Sequence, residues 1–117
     1  MQYIILIYGD EKAYAAAPKA AIEQMHAAHM QYGKEMTEKK VMVGGSQLAP
    51  TSSATTLRLA AGKVVATDGP FAETKEQLGG YYLIECANLD EALKWAGRCP
   101  SIQGGTIELR PLIKHSM

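Results

Sequence analysis

The sequence from Tyr3 to Tyr8 reads YIILIY, an unbroken run of large apolar residues. Successive side chains of a strand point to opposite faces of the sheet, so a strand solvated on one face alternates apolar and polar residues. This run does not alternate, and it therefore predicts a strand that is covered on both faces. A similar run, YYLIECA at residues 81–87, predicts a second strand of the same kind.

Two segments have the composition and spacing of helices. Residues 18–39 are rich in good helix formers, and Pro18 suits the first helical position. Residues 89–97 predict a second helix, with Asn88 as its N-cap. The segment Gly9 to Ala17 is polar and rich in small residues, which predicts a loop. The first helix carries one apolar stripe at spacings of three and four, formed by Ile22, Met25, His29, Tyr32 and Met36.

The remaining strands complete a recognisable order. Residues 55–59 and 64–67 are β-rich runs around Ala60-Ala61-Gly62-Lys63, which predicts a hairpin. Further strands are predicted at 41–48 and 106–113. The order is β-α-β, an inserted β-hairpin, then β-α-β. Without the insert this is the split β-α-β pattern of ferredoxin-like α+β folds, in one domain that spans residues 1–117.

Two helices can cover only one face of a four-stranded sheet. The strands at 3–8 and 81–87 are apolar on both faces, so the second face would be a large exposed apolar patch. A second copy of the chain, packed sheet against sheet with two-fold symmetry, is the simplest cover. The sequence therefore predicts a homodimer through the sheet face.

Composition limits the class of protein and of partner. Lysine plus arginine and aspartate plus glutamate are both 12, so the formal net charge of the 117 residues is zero. This balance argues against nucleic-acid binding and against an anionic membrane surface as partner. No apolar run reaches the roughly 18 residues of a membrane helix, and the N-terminus lacks the features of a signal peptide. Two cysteines, Cys86 and Cys99, predict reduced buried thiols and a cytoplasmic location.

The stretch TDGPFAETKEQLGGYY at residues 67–82 combines a turn with a charge cluster. Asp68 can accept a backbone hydrogen bond two residues on, and Gly69 tolerates unusual φ values, so the first residues predict a rigid turn. In one interpretation the turn is only structural, with Phe71 packed onto the body of the protein. In the other it forms a site, whose substrate-binding candidates are Phe71, Glu73 and Lys75.

The same stretch, extended to TDGPFAETKEQLGGYYLIE at 67–85, resembles the signature of the DGPF-motif branch of the YCII-related family. The resemblance implies a ferredoxin-like fold and a dimeric α-β barrel, in agreement with the topology above. It also implies kinship with small enzymes that hold a His–Asp pair in a pocket, some of which look like dehydrohalogenases. The branch often occurs near genes for alternative sigma factors, which suggests regulation. Further segments that fit the family pattern are MQYIILIYGDE at 1–11, LAP at 48–50, LDEALKWA at 89–96 and IELRPL at 107–112.

The resemblance implies catalytic candidates. The family aspartate falls on Asp68, and the histidine falls on His29 by the position in YCII relatives or on His26 by the position in the DGPF branch. A carboxylate beside His29 would orient the ring and raise its pKa, which suits a general base near neutral pH. The alternative is a core histidine, hydrogen-bonded to a backbone carbonyl or a tyrosine.

Charged and aromatic residues of the strands supply further binding candidates. Glu108 and Arg110 share a strand face, so Arg110 either forms a structural ion pair or anchors an anionic ligand. Tyr81 and Tyr82 point to opposite faces, and Tyr81 is a candidate for lining a pocket or the interface. The spacing His26-x-x-His29 can place two metal ligands on one helical face, but no clustered cysteines complete a site. The sequence predicts neither a metal nor a cofactor.

Two functions remain open from the sequence. The first is a small proton-transfer enzyme of isomerase or dehydrohalogenase type, acting on a small cyclic organic molecule through the His–Asp pair. The second is a non-catalytic dimeric module that binds a small molecule or a regulatory partner, with the DGPF turn as a structural element.

Overall fold

The computed structural model describes residues 1–115 of the chain. Two short 3-10 turns, at residues 51–53 and 100–102, accompany the regular elements. The strands and helices in chain order are β1 (Gln2–Gly9), α1 (Glu11–Ala16), α2 (Lys19–Glu38), β2 (Met42–Gln47), β3 (Thr55–Ala60), β4 (Lys63–Asp68), β5 (Gln77–Glu85), α3 (Leu89–Gly97) and β6 (Thr106–Pro111).

Four strands form one antiparallel sheet in the order β2-β5-β1-β6. The first strand of the chain therefore lies inside the sheet, between two strands that follow much later. This order and the two long helices give the ferredoxin-like α+β fold that the sequence predicts. The inserted hairpin forms a separate two-stranded sheet of β3 and β4. We call this hairpin, residues 55–68, the arm.

The core lies between one face of the sheet and the helices α2 and α3. Tyr3 and Ile5 of β1 and Ile84 of β5 meet Tyr32 and Met36 of α2 there, and all five are almost inaccessible to solvent. The two thiols, Cys86 and Cys99, are free and buried in the same cluster, as predicted. The Tyr32 hydroxyl donates a hydrogen bond of 2.6 Å to the Trp95 carbonyl and so ties α2 to α3.

The other face of the sheet carries the second set of apolar side chains. Ile4 lies opposite Leu83 and Leu6 lies opposite Tyr81, so these four share that face. They are partly exposed, whereas Tyr3, Ile5 and Ile84 on the helix side are buried. We call this surface, together with Tyr8, Glu108 and Arg110, the open face.

Capping residues explain where α1 and α3 begin. The structure confirms the predicted cap of α3 and corrects the loop predicted at residues 9–17. Asn88 caps α3 as expected, since its side chain accepts a hydrogen bond from the backbone N–H of Glu91. The predicted loop at residues 9–17 is wrong, because residues 11–16 form α1. Asp10 caps this helix, because its side chain accepts hydrogen bonds from the backbone N–H groups of Lys12 and Ala13.

Among residues 1–115, no helix has both the length and the apolar composition that a bilayer crossing requires.

Candidate functional site

His29 lies on the helix side of the sheet and is hydrogen-bonded through both ring nitrogens. Its Nδ1 is 2.8 Å from the Tyr82 hydroxyl, and its Nε2 is 2.7 Å from Ser101 Oγ. Both ring nitrogens therefore have a hydroxyl partner. The imidazole also lies nearly parallel to the Tyr82 ring, with 5.9 Å between centroids. We call these three residues the His29 chain.

The three residues of the His29 chain come from three different elements of the fold. The apolar stripe of α2 turns His29 toward the sheet with Tyr32 and Met36, because residues three and four apart share a helix face. Tyr82 lies opposite Ile5 in the β5–β1 pairing, so its side chain points to the helix side. Ser101 belongs to the 3-10 turn that follows α3 and begins at Pro100.

Burial sets the protonation state of the His29 chain. Desolvation, with a smaller effect of neighbouring His26, lowers the pKa of His29 below its ordinary value of 6.5. Burial, reinforced by nearby Cys99, raises the pKa of Tyr82 to about 12. Burial also raises the pKa of the Cys99 thiol. At neutral pH the His29 chain is uncharged. One nitrogen of the imidazole can therefore accept a proton, while the N–H of the other nitrogen donates to a hydroxyl oxygen.

An open apolar hollow of about 320 Å³ lies between α3 and β6, beside the 3-10 turn at residues 100–102 that holds Ser101. Ile102, the residue after Ser101, is one of its walls. Its other walls belong to α3 and to β6, and α2 does not line it. The full lining consists of Leu93, Ala96, Gly97, Ile102, Ile107 and Leu109.

The predicted His–Asp pair does not form within one chain. Asp68 ends β4 on the arm, opposite Thr55, and its side chain is exposed. The hydrogen bonds of His29 go to Tyr82 and Ser101 instead. The physical reason is that the histidine lies under the four-stranded sheet, while the aspartate belongs to the separate two-stranded one. His26 lies on the exposed side of α2.

The turn after Asp68 is also far more exposed than its sequence suggests. Phe71 is 77% exposed, so the expectation that it packs onto the body is wrong for the single chain. Glu73 and Lys75 are exposed as well. The turn is held at its base by backbone contacts: the Gly69 N–H donates to the Ala54 carbonyl at 2.7 Å.

The strand candidates lie on the open face. Tyr81 and Tyr82 point to opposite faces, as predicted, and Tyr81 lies opposite Leu6. Arg110 is near Glu108, with 3.5 Å between Nη2 and the carboxylate, which is the ion pair that the strand period suggested. The Tyr8 hydroxyl also donates to Glu108, at 3.4 Å. Within residues 1–115, no three His, Cys, Asp or Glu side chains are grouped as metal ligands.

Sequence reasoning found His29 but missed half of its surroundings. A histidine in an apolar stripe requires a hydrogen-bond partner, and a tyrosine is one of the three partners that the sequence suggests. Ser101 gave no signal, because a serine after Pro100 is typical of any short turn. Only the fold brings it to Nε2.

The fold and the His29 chain define a small ferredoxin-like α+β protein with a neutral, hydrogen-bonded histidine on the helix side of its sheet. Comparison with family models matches residues 1–116 to the YCII-related domain, and the chain therefore belongs to the YCII-related family. It is also similar to an uncharacterised protein of Rhizobium meliloti (strain 1021). The two are 41% identical over 114 residues, which cover 96% of this chain and 92% of that protein.

Proposed function

We propose that this YCII-related protein, as a member of the DGPF-motif branch, is a homodimeric proton-transfer enzyme that acts on a small cyclic organic molecule. The observation that carries the proposal is the His29 imidazole, neutral at pH 7 and held between the hydroxyls of Tyr82 and Ser101. The turn that holds Ser101 also supplies Ile102, a wall of the apolar hollow. Such a base is matched to proton transfer near neutral pH. Two reduced thiols are consistent with a cytoplasmic enzyme.

The His29 chain can move a proton without forming a buried pair of charges at rest. Ser101 Oγ takes a proton from an acidic carbon of the ligand as its own proton passes to His29 Nε2. The Nδ1–H remains hydrogen-bonded to the Tyr82 oxygen and orients the ring. In an isomerase the proton returns to another carbon; in a dehydrohalogenase the C–H electron pair becomes a double bond as chloride leaves.

The first test is binding. A thermal-shift screen of small phenols, lactones and chlorinated aromatics should give compounds that raise the melting temperature, because a ligand that binds only the folded state stabilises it. The compounds found are then incubated in D₂O, and NMR follows the loss of their acidic C–H signals. We expect exchange with the wild-type protein and with the control Met30→Gln, whose side chain is 77% exposed on the same helix. His29→Gln should still bind but exchange at least about 100-fold more slowly; equal exchange would refute the catalytic role.

The homodimer is the second part of this proposal. The open face has apolar side chains on adjacent strands, and near-zero net charge offers little repulsion between copies. Sedimentation equilibrium should give a dimer at micromolar concentration, and a monomer there would refute it.

One observation favours the alternative, a non-catalytic dimeric module. The Thr56 hydroxyl donates to the Gly69 carbonyl at 2.7 Å, and Gly69 has φ of 98°, which favours glycine. The turn therefore has a structural role at the base of the arm whether or not the protein is an enzyme. A screen that yields ligands without any proton exchange would favour this second function.

A further inference from the structure

The arm has two different faces. In the pairing of β3 with β4, Leu57 lies opposite Ala66 and Leu59 lies opposite Val64. Side chains of directly paired residues share one face, and that face alternates with the other along each strand. One face is therefore apolar, and Thr55 and Asp68 stand at its base. The opposite face carries Thr56, Arg58, Lys63, Val65 and Thr67.

The apolar face of the arm is uncovered in the single chain. Leu57 is 64% exposed, Leu59 73% and Val64 70%. An isolated two-stranded hairpin is marginally stable in water, and it needs further packing to persist. Three large aliphatic side chains on one face of such a hairpin would be a site of association.

The exposed area of the chain indicates what kind of partner could cover the apolar face of the arm. The chain exposes 8595 Å², about 2,400 Å² more than the roughly 6,200 Å² expected for a compact monomer of its mass. Its radius of gyration is 16.4 Å, against about 13 Å for a compact domain. An obligate dimer buries about 1,000 to 2,500 Å² on each partner. The excess surface is therefore of the size that a second copy of the same chain covers.

We propose that the apolar face of the arm packs against a second copy of this chain, and that Asp68 thereby joins a site formed by two chains. This rests on the homodimer proposed above and extends it, since the interface then has two parts, the open face and the arm. The carboxylate stands at the base of the covered face, so it meets groups of the partner rather than His29 of its own chain. A carboxylate that leaves water requires a hydrogen-bond donor in exchange, which makes the junction of arm and partner a polar site.

Two neighbouring valines give a matched test. Val64 is on the apolar face and Val65 is on the opposite one, 45% exposed. We expect Val64→Asp to raise the dissociation constant of the dimer at least about 100-fold, because a symmetric dimer loses two buried valines. Val65→Asp should change it by less than about threefold. The measurement is sedimentation equilibrium, with circular dichroism to show that both variants are folded.

Photo-crosslinking tests the placement of the turn without removing any packing. Phe71 is replaced by p-benzoylphenylalanine, a close relative of the native residue, in a mixture of ¹⁴N- and ¹⁵N-labelled chains. Crosslinked peptides of mixed label are expected, since they join residue 71 of one copy to the other.

The outcomes separate this inference from the homodimer itself. If the wild-type protein is a monomer, both are overturned. If it is a dimer in which Val64→Asp and Val65→Asp behave alike and all crosslinks lie within one chain, the arm is free and only this inference is overturned. Weakening by Val64→Asp alone, with mixed-label crosslinks, supports it.

Discussion

Replacing Tyr82 by phenylalanine removes one hydroxyl from the His29 chain and leaves the ring in place. The packing of that ring is preserved, including its edge-on contact with Tyr32 at 5.3 Å between centroids. The hydrogen bond of 2.8 Å to His29 Nδ1 is lost. A buried polar group left without a partner costs about 1–3 kcal/mol, and His29 is only partly buried, so we expect a loss of about 1 kcal/mol.

The assay is urea denaturation at pH 7.5, at one fixed protein concentration because a dimer's stability depends on concentration. In thermal denaturation, the same loss of about 1 kcal/mol would lower the melting temperature of a domain of this size by about 4 °C. The matched control is Tyr81→Phe, the same substitution on the opposite face of the same strand. It should cost less than about 0.5 kcal/mol.

A second readout separates a hydrogen bond from general loosening. The ¹⁵N chemical shifts of the His29 ring report which nitrogen carries the proton, and they should change in Tyr82→Phe because Nδ1 loses its partner. They should stay as in the wild type in Tyr81→Phe. Equal stability of the two variants, with unchanged ring shifts in both, would refute the account of the His29 chain.

Further substitutions test the protonation of His29, the close packing at Gly105 and the cap of α3. Because burial lowers the pKa of His29, the unfolded chain binds its proton more readily than the folded one; the free energy of unfolding should fall as pH drops below about 6.5, and His29→Gln should flatten that fall in urea titrations. Gly105→Ala would place a Cβ 2.6 Å from the Tyr8 carbonyl oxygen, and thermal denaturation should show a loss of about 1–3 kcal/mol, whereas Gly97→Ala, with nothing within 4 Å, should be nearly neutral. Asn88→Ala removes the cap of α3 and should cost about 1 kcal/mol, measured by the same method; an unchanged melting temperature would contradict the cap.

Much of the fold could be predicted because its signals are local. The helix at residues 89–97 was predicted with the bounds it has, since Asn88, the acidic first turn and the apolar stripe all lie within a few residues of one another. The helix α1 was missed because it is only six residues long and its strongest signal, Asp10, also suits a turn. The strand predicted at residues 81–87 is β5, which begins earlier, at Gln77, and ends at Glu85; Gly80 within it pairs with Ile7 of β1.

The candidate site was less predictable, because its partners come from distant parts of the chain. Nothing near His29 in the sequence indicates Tyr82, 53 residues on, or Ser101, 72 residues on. Family resemblance drew attention to Asp68, but the pairing of β3 with β4 puts that residue on the arm. A motif identifies residues that matter without stating which of them meet in one chain.

The sequence by itself determined the order of the strands and of the two longer helices, the side of α2 that faces the sheet, and the apolar character of both faces of the inner strands. Those features depend on side-chain periodicity, which is written in short stretches such as YIILIY at residues 3–8. Only the tertiary structure decided that His29 binds two hydroxyls and that the arm extends away from the core with its leucines exposed. The reason is physical: a hydrogen bond or an uncovered face depends on where remote segments come to rest, and that is set by the packing of the whole sheet.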